Sequence, residues 1–405
     1  KDSRWGVFPS FSGAWRIINE PFMEGTRNVL SDLKLRGGWG VLGNQAISYY
    51  SYQSVLDQAN YSFGGTVVQG VAPVDGANRD LIWETTETLN FGLDMGFLGN
   101  QYTLSIEGYR KLTYDILMKL PVSTLYGLNA PYQNAGKVKN TGLEITAGYK
   151  LNTHGWNFQV SANAAYNKNE VMDLKNGGAR IWSGKYFNQE GYAINSIGGY
   201  IAEGLFKTEE EVANSATIPG TDTAPGDIKY RDINNDGKID GEDRVYIGNT
   251  MPKWTFGLNL FAEWKGLDAT FLFQGAADVQ GYLAGPGVVG EMIGAKGKPS
   301  YMYRDCWDAE TNPNGKFPRA FSSYRQNNSI YNPSSFWIVN SSYLRLKNFQ
   351  LGYTLPKEWC NMMGISRIRV YYSGQNLLTF TKFDKGFDPE SPEGGSSYPQ
   401  VKTNT

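Results

Sequence analysis

Twelve consecutive residues, Asp232 to Asp243 within "YRDINNDGKIDGEDRVYIGN", carry oxygen at the intervals of a calcium-binding loop. In the twelve-residue template the ion takes oxygens from positions 1, 3, 5, 7, 9 and 12, and a glycine at 6 permits the sharp turn. Counted from Asp232, these positions hold Asp232, Asn234, Asp236, the Lys238 carbonyl, Asp240 and Asp243, with Gly237 in the glycine place. The spacing predicts a structural calcium ion. Without a cation, four carboxylates (Asp232, Asp236, Asp240 and Asp243) would repel one another in one small turn. One departure weakens the match: Asp243 stands where a longer glutamate normally grips the ion with both oxygens. A solvated Asn-Asp-Gly turn would use the same residue types, and that reading stays open. Helices usually flank such a loop, whereas Pro225-Gly226 precede this one and the strand-like Val245, Tyr246 and Ile247 follow.

No other set of residues promises catalysis. The single histidine, His154, adjoins Gly155 in a tight turn, so no Ser/His/Asp or Cys/His nucleophile set can be assembled. Glu209, Glu210 and Glu211 follow Thr208, which reads as the capped first turn of a short helix, not as paired catalytic acids. An enzyme is not expected. Three aromatic groups fall between the strand-like segments: Tyr49, Tyr50 and Tyr52; Trp182, Tyr186 and Phe187; Tyr301, Tyr303 and Trp307. They either pack the loops together or against a partner, or stack on sugar rings or peptide side chains.

The elements that would carry these residues are strands. Among 405 residues there are 48 Gly, 26 Tyr, 20 Phe and 11 Trp, a composition that favours an all-β architecture. The formal net charge of −1 gives no reason to expect nucleic acid as a partner. No run of about 18 apolar residues exists, so a membrane-spanning helix is excluded, but a barrel strand needs only about 9–11 residues. Trp156, Phe158, Val160, Ala162 and Ala164 alternate with Asn157, Gln159, Ser161 and Asn163. Leu89, Phe91, Leu93, Met95 and Phe97 alternate in the same way, as do Trp254 to Trp264 and Leu267 to Phe273. These segments outrun ordinary soluble strands, and their apolar faces tend to end in Trp, Tyr or Phe, as at a membrane interface. The apolar faces are therefore expected to meet lipid and the polar faces a wet lumen.

Connection lengths agree with a transmembrane antiparallel β-barrel. Leu98–Asn100, Asn152–Gly155 and Lys265–Gly266 are short, like periplasmic turns. Leu42–Asp80, Met118–Gly136, Val171–Met251 and Gln280–Ser341 are long, like extracellular loops. About ten strands fit this template, starting near Trp5, Leu30, Leu81, Gln101, Val138, Trp156, Trp254, Leu267, Tyr343 and Arg367. This topology puts Cys306 and Cys360 on opposite sides of the membrane, about 30 Å apart and beyond the ~7 Å limit for a disulfide. Both are expected as free thiols. The first residues, "KDSRWGVFPSF", read as mid-strand and the last, "YPQVKTNT", as mid-loop, as in an internal piece of a longer chain.

Five ordered segments carry a family resemblance: "WETTETLNFGLD", "NAGKVKNTGLEI", "GDIKYRDINNDGKIDGEDRVYIGN", "YLRLKNFQLGYTLP" and "SGQNLLTFTKFDKGFDPE". They resemble the SusC/RagA family of TonB-dependent outer-membrane transporters, in order and over essentially the whole chain. The resemblance implies that residues 1–405 are the C-terminal part of a 22-stranded barrel, with the plug domain, the TonB-contacting segment and the final strand outside this segment. It implies import of oligosaccharides or oligopeptides across the outer membrane of a Gram-negative bacterium, with a SusD-like lipoprotein over the extracellular mouth. A half-barrel alone would leave long unpaired edges in lipid, so the functional unit is expected to be larger. Two rivals stay open from the sequence: a passive porin or adhesin on the same barrel, and a secreted all-β binding or enzymatic module.

Overall fold

The computed structural model describes residues 5–283, 304–320, 332–383 and 388–391. Ten long strands dominate it: β1 (Ser10–Trp15), β2 (Leu30–Asn44), β3 (Glu84–Phe97), β4 (Tyr102–Tyr114), β5 (Lys137–Thr153), β6 (Trp156–Asp173), β7 (Trp254–Trp264), β8 (Leu267–Ala277), β9 (Tyr343–Thr354) and β10 (Arg369–Thr381). The chain forms two compact units. One comprises Lys1–Gly148, Ala165–Ser183 and Asn188–Ile194, the other Tyr149–Ala164, Gly184–Phe187 and Asn195–Thr405; β5 and β6 run through both. In the first unit β1 to β6 pair in chain order, and in the second β5 to β10 do the same.

The strand starts lie close to the expected ones, with one clear shift. Strand β1 begins at Ser10, not near Trp5, because Pro9 has no N–H to give the ladder; only its carbonyl joins, accepting from Val41 N at 2.9 Å. Two connections are two-residue turns with both residues at positive φ, His154-Gly155 (48° and 81°) and Lys265-Gly266 (48° and 87°). That backbone matches the twist of the strands it joins. At Gly266 a Cβ would also meet the Thr354 carbonyl oxygen at 2.6 Å.

Each long strand has a wet face and a dry one. In the first unit Arg36 on β2 bridges Asp94 on β3 (3.2 Å) and Glu107 on β4 (2.5 Å), and Ser105 donates to Asp94 at 2.7 Å. In the second unit Asn157 donates to Glu263 (3.4 Å), while Arg369 holds Asp268 with two hydrogen bonds (3.0 and 2.5 Å) and Gln350 with a third (3.0 Å). The opposite faces are aromatic and aliphatic. Phe11 stacks on Trp39 in the first unit. In the second, Trp156 stacks on Trp264 with centroids 5.3 Å apart, and Phe271, Phe349 and Tyr372 form a ring ladder across β8, β9 and β10. Phe158, on the face expected to meet lipid, packs against Tyr149, while Gln159 donates to Asn157 on the other face.

Most of the buried core is not between these strands; in the first unit a small cluster takes Val138 of β5 and Val171 of β6 together with Leu174. Phe11, Phe91, Leu351 and Phe380 on the dry faces are 71, 60, 42 and 60 % exposed. In the second unit the core lies in the connections: Ile197, Leu205, Ile228, Tyr230, Ile239 and Trp337 are all buried together. A water-soluble sandwich would bury the strand faces and leave the loops solvated. Here the order is inverted.

Candidate functional site

The calcium-like loop hangs from that loop core. Strand Ile228–Tyr230 pairs with Ala202–Leu205, and beyond the loop Val245–Gly248 pairs with Ser196–Gly199. Within the loop, Ile239 is buried in the core and its N–H donates to the Thr217 carbonyl at 3.0 Å. Asp232 accepts from the N–H groups of Asn235 (2.7 Å) and Gly237 (2.8 Å), Asn234 from Asp236 N (3.1 Å), and Asp236 from Lys238 N (3.0 Å). Asp240 caps the short Gly241–Asp243 turn of 3₁₀ helix by accepting from Glu242 N at 2.9 Å. Asp243, fully buried, spreads its two oxygens over the N–H groups of Ile233 and Asp240, each at 2.8 Å. The Lys238 ammonium bridges Asp240 (2.9 Å) and Asp236 (3.5 Å).

These contacts supply the charge compensation that an ion would otherwise bring. Backbone N–H groups and one ammonium offset the carboxylates, so crowding alone does not require a cation. The Asp240 carboxyl is held below its ordinary range by the Glu242 N–H and by Lys238, whose own affinity for its proton is raised, first by Asp240 and then by Asp236. Among the described residues no group of three or more His, Cys, Asp or Glu side chains converges as a metal site. The six template positions are thus gathered in one loop. Two of the carboxylates, Asp240 and Asp243, already accept from N–H groups of the turn that ends it.

The remaining sequence candidates separate. Phe187 is fully buried and Trp307 is 8 % exposed, so both pack the loops. Tyr49 and Tyr50 are exposed and border a recess of about 220 Å³ shared with Asp75, Lys119 and Tyr132. Tyr301 and Tyr303 lie outside the described residues. His154 shares a 2.7 Å hydrogen bond with the Thr153 hydroxyl in its exposed turn. Thr208 caps helix Glu209–Ala213 through the Glu211 N–H, and the Glu211 carboxylate accepts in turn from Lys207 N. Cys306 and Cys360 are both buried and are not joined in a disulfide.

Three features were not anticipated. Leu56–Phe63 and Thr66–Pro73 form a hairpin around Gly64-Gly65 inside what reads as one long loop. The Gly-Gly pair flanked by apolar residues was the available signal. Buried Asp227 accepts from Arg319 Nε (2.9 Å), Arg319 Nη2 (3.1 Å) and Ala224 N (2.9 Å), tying together segments far apart in sequence. Arg345, 2 % exposed on β9, is clasped by Asp388 (2.6 Å) and Glu390 (3.1 Å). Nothing in the local pattern marks either arginine.

Comparison with known proteins agrees with this architecture. The family model described as "TonB dependent receptor-like, beta-barrel" matches residues 1–377. TonB-dependent receptor P3 of Formosa agariphila is 30 % identical over 414 residues, covering all of this chain and 40 % of that protein. TonB-dependent receptor SusC of Bacteroides thetaiotaomicron is 30 % identical over 440 residues, again covering all of this chain and 40 % of the relative. The RagAB peptide transporter superposes with a TM-score of 0.79 at 28 % identity, over 100 % of this chain and 43 % of that one. The "open-open" state of the RagAB peptide importer gives 0.76 at 27 % identity, over 98 and 41 %. The chain therefore spans about two fifths of the length of the relatives it matches. It belongs to the TonB-dependent receptor β-barrel family, in its SusC/RagA branch: outer-membrane antiparallel barrels that are transporters, not enzymes.

Proposed function

We propose that these strands are the C-terminal part of a 22-stranded barrel that imports oligosaccharides or oligopeptides in a TonB-dependent manner. One observation carries the reading: large apolar side chains on the dry strand faces are exposed while the larger buried core sits in the connections, as suits a wall immersed in lipid with a folded layer at its mouth. SusC and RagAB, among the similar proteins, supply the transport context. Uptake of labelled oligosaccharide and oligopeptide pools by cells carrying the full-length protein tests this. Uptake should stop when the proton-motive force is collapsed or TonB is deleted. Transport that persists would make the barrel a passive pore.

A SusD-like surface lipoprotein is the proposed partner, meeting the connections after Leu42, Val171 and Gln280. The hairpin in the first of these supports it. Ala59, Tyr61, Phe63 and Val68 share one face, with Tyr61 and Phe63 each 66 % exposed. A lone two-stranded hairpin is marginal in water and gains from a cover on such a face. Tyr61→Ser with Phe63→Ser should weaken co-purification of the lipoprotein in mild detergent; unchanged recovery argues against this docking surface.

The loop 232–243 is proposed to take structural calcium through Asp232, Asn234, Asp236, the Lys238 carbonyl, Asp240 and Asp243, with the Lys238 ammonium swinging out. That rests on ligand type and spacing alone. Calcium titration of the full-length protein, followed by thermal unfolding, should show a shift that Asp232→Asn with Asp236→Asn abolishes. No shift at millimolar calcium, the weak end for such loops, rules the site out.

A further inference from the structure

The connection between β9 and β10 lies at the same end of the second unit as the His154-Gly155 and Lys265-Gly266 turns, the periplasmic end in the barrel topology, yet it is not a tight turn. The ladder continues one pair beyond the strands, with Leu355 N donating to Ile368 O at 3.0 Å. Helix α1 (Lys357–Met362) follows. It is closed by two bonds, Ile365 N to Cys360 O and Gly364 N to Asn361 O, both 3.0 Å, with Gly364 at φ +66°. This is a Schellman stop, so the short helix is fixed at both ends.

Its side chains sort by direction. Cys360 is 1 % exposed, with its thiol on the Leu355 carbonyl, so that side faces the protein. Trp359, Met362 and Met363, at i, i+3 and i+4, share a stripe and are 54, 79 and 52 % exposed; Ile365 beyond them is 44 % exposed. At about 100° per residue the stripe lies on one flank of the Cys360 direction, and the exposed Lys357, Glu358 and Asn361 lie on the other. A helix with protein on one side, apolar groups on one flank and polar groups on the other fits a boundary between oil and water.

The strands that lead into and out of this connection end in an exposed apolar row. Trp264, Leu267, Tyr353 and Val370 are successive cross-strand partners on the dry face near this end of the sheet, 38, 47, 41 and 64 % exposed. Tyrosine and tryptophan there mark the depth at which headgroups begin. We infer that residues 356–365 form an interfacial anchor seated in the periplasm-facing phospholipid leaflet, with Trp359, Met362 and Met363 in the headgroup–acyl boundary. The occupant of the stripe is phospholipid, because the helix follows β9 directly, at the end of the sheet where the exposed Trp264–Leu267–Tyr353–Val370 row lies.

Nitroxide labels at Met362→Cys, Met363→Cys, Lys357→Cys and Asn361→Cys test this in the full-length protein, reconstituted in phosphatidylethanolamine–phosphatidylglycerol vesicles. These sites are exposed, so the fold should tolerate the label, and unsubstituted protein serves as the blank for the buried Cys306 and Cys360. Dissolved oxygen should relax the labels at 362 and 363 several-fold more than a water-soluble nickel chelate does, with the order reversed at 357 and 361. Chelate reaching 362 and 363 as freely as 357 would put the stripe in water. Exclusion of both reagents from 362 and 363 would mean a protein surface covers it. Either result overturns the inference.

Discussion

Replacing Asp227 by alanine should loosen the loop layer without touching the barrel wall. The Asp227 side chain is fully buried and accepts from Ala224 N and from both Nε and Nη2 of the Arg319 guanidinium. Removing one partner of a buried pair costs about 3–5 kcal/mol, because the other charge is stranded. The Arg319 side chain is 24 % exposed and keeps its hydrogen bond to the Asp222 carbonyl, so the lower end, about 3 kcal/mol, applies. At about 1.4 kcal/mol per factor of ten, the opened population of segments 222–231 and 304–320 should rise by roughly two orders of magnitude. Hydrogen exchange read by mass spectrometry on the full-length protein in detergent would show this as a matching loss of protection. Peptides from β7 and β8 should keep theirs, because their ladder hydrogen bonds do not involve Asp227. Replacing Asp227 and Arg319 together by leucine should recover most of the loss, since a buried pair is often matched by apolar groups of similar volume. Unchanged exchange in 304–320 on Asp227→Ala, or loss spread evenly through the strands, would refute the assignment of the pair as the tie.

Aspartate at Val160 should impair membrane assembly by up to about 2 kcal/mol, while aspartate at the lumen-side Gln159 is tolerated; equal tolerance in a heat-modifiability assay would contradict the face assignment. The Glu211 carboxyl is held below its ordinary range, first by the Lys207 N–H and then by Lys229. Its contribution to the start of helix Glu209–Ala213 is thus complete above the ordinary glutamate value and lost as pH falls through the depressed one, so exchange in 207–213 should rise at acid pH, and Glu211→Gln should flatten that dependence. Burial, with Asp305 adding to it, pushes the Cys306 thiol up to about 11. Iodoacetamide at pH 8 should leave it unmodified in the folded protein, and rapid modification would show that the 304–320 segment opens freely.

The strands were legible because lipid and water impose opposite demands on adjacent residues. Phe158 beside Gln159, or Phe271 beside Thr270, records that demand directly. The tight turns were legible for a similar reason: His154-Gly155 and Lys265-Gly266 must both take positive φ. The loop core was not. Ile197, Ile228, Ile239 and Trp337 come from segments with no period, and only long-range closure brings them together. The loop 232–243 marks a different boundary. Spacing identifies which oxygens share a loop, but Asp243 turns to the N–H groups of Ile233 and Asp240, a choice made by backbone geometry that side-chain types do not record.

The contrast between two-residue turns and long connections also sets an order of events. Each doubling of a loop adds about 0.6 kcal/mol to closure, and a hairpin forms in about 1–10 μs. Strands β5 with β6, and β7 with β8, are therefore neighbours almost from the moment they are made, whereas β6 and β7 meet only after the whole stretch 174–253 has been gathered. Entry into the membrane should proceed by preformed pairs, each delivering its dry face at once, with the loop layer condensing last. Gly266 stands at a junction in that sequence: its turn closes β7 on β8, and its carbonyl then accepts from Thr354 N at 2.7 Å as β9 docks.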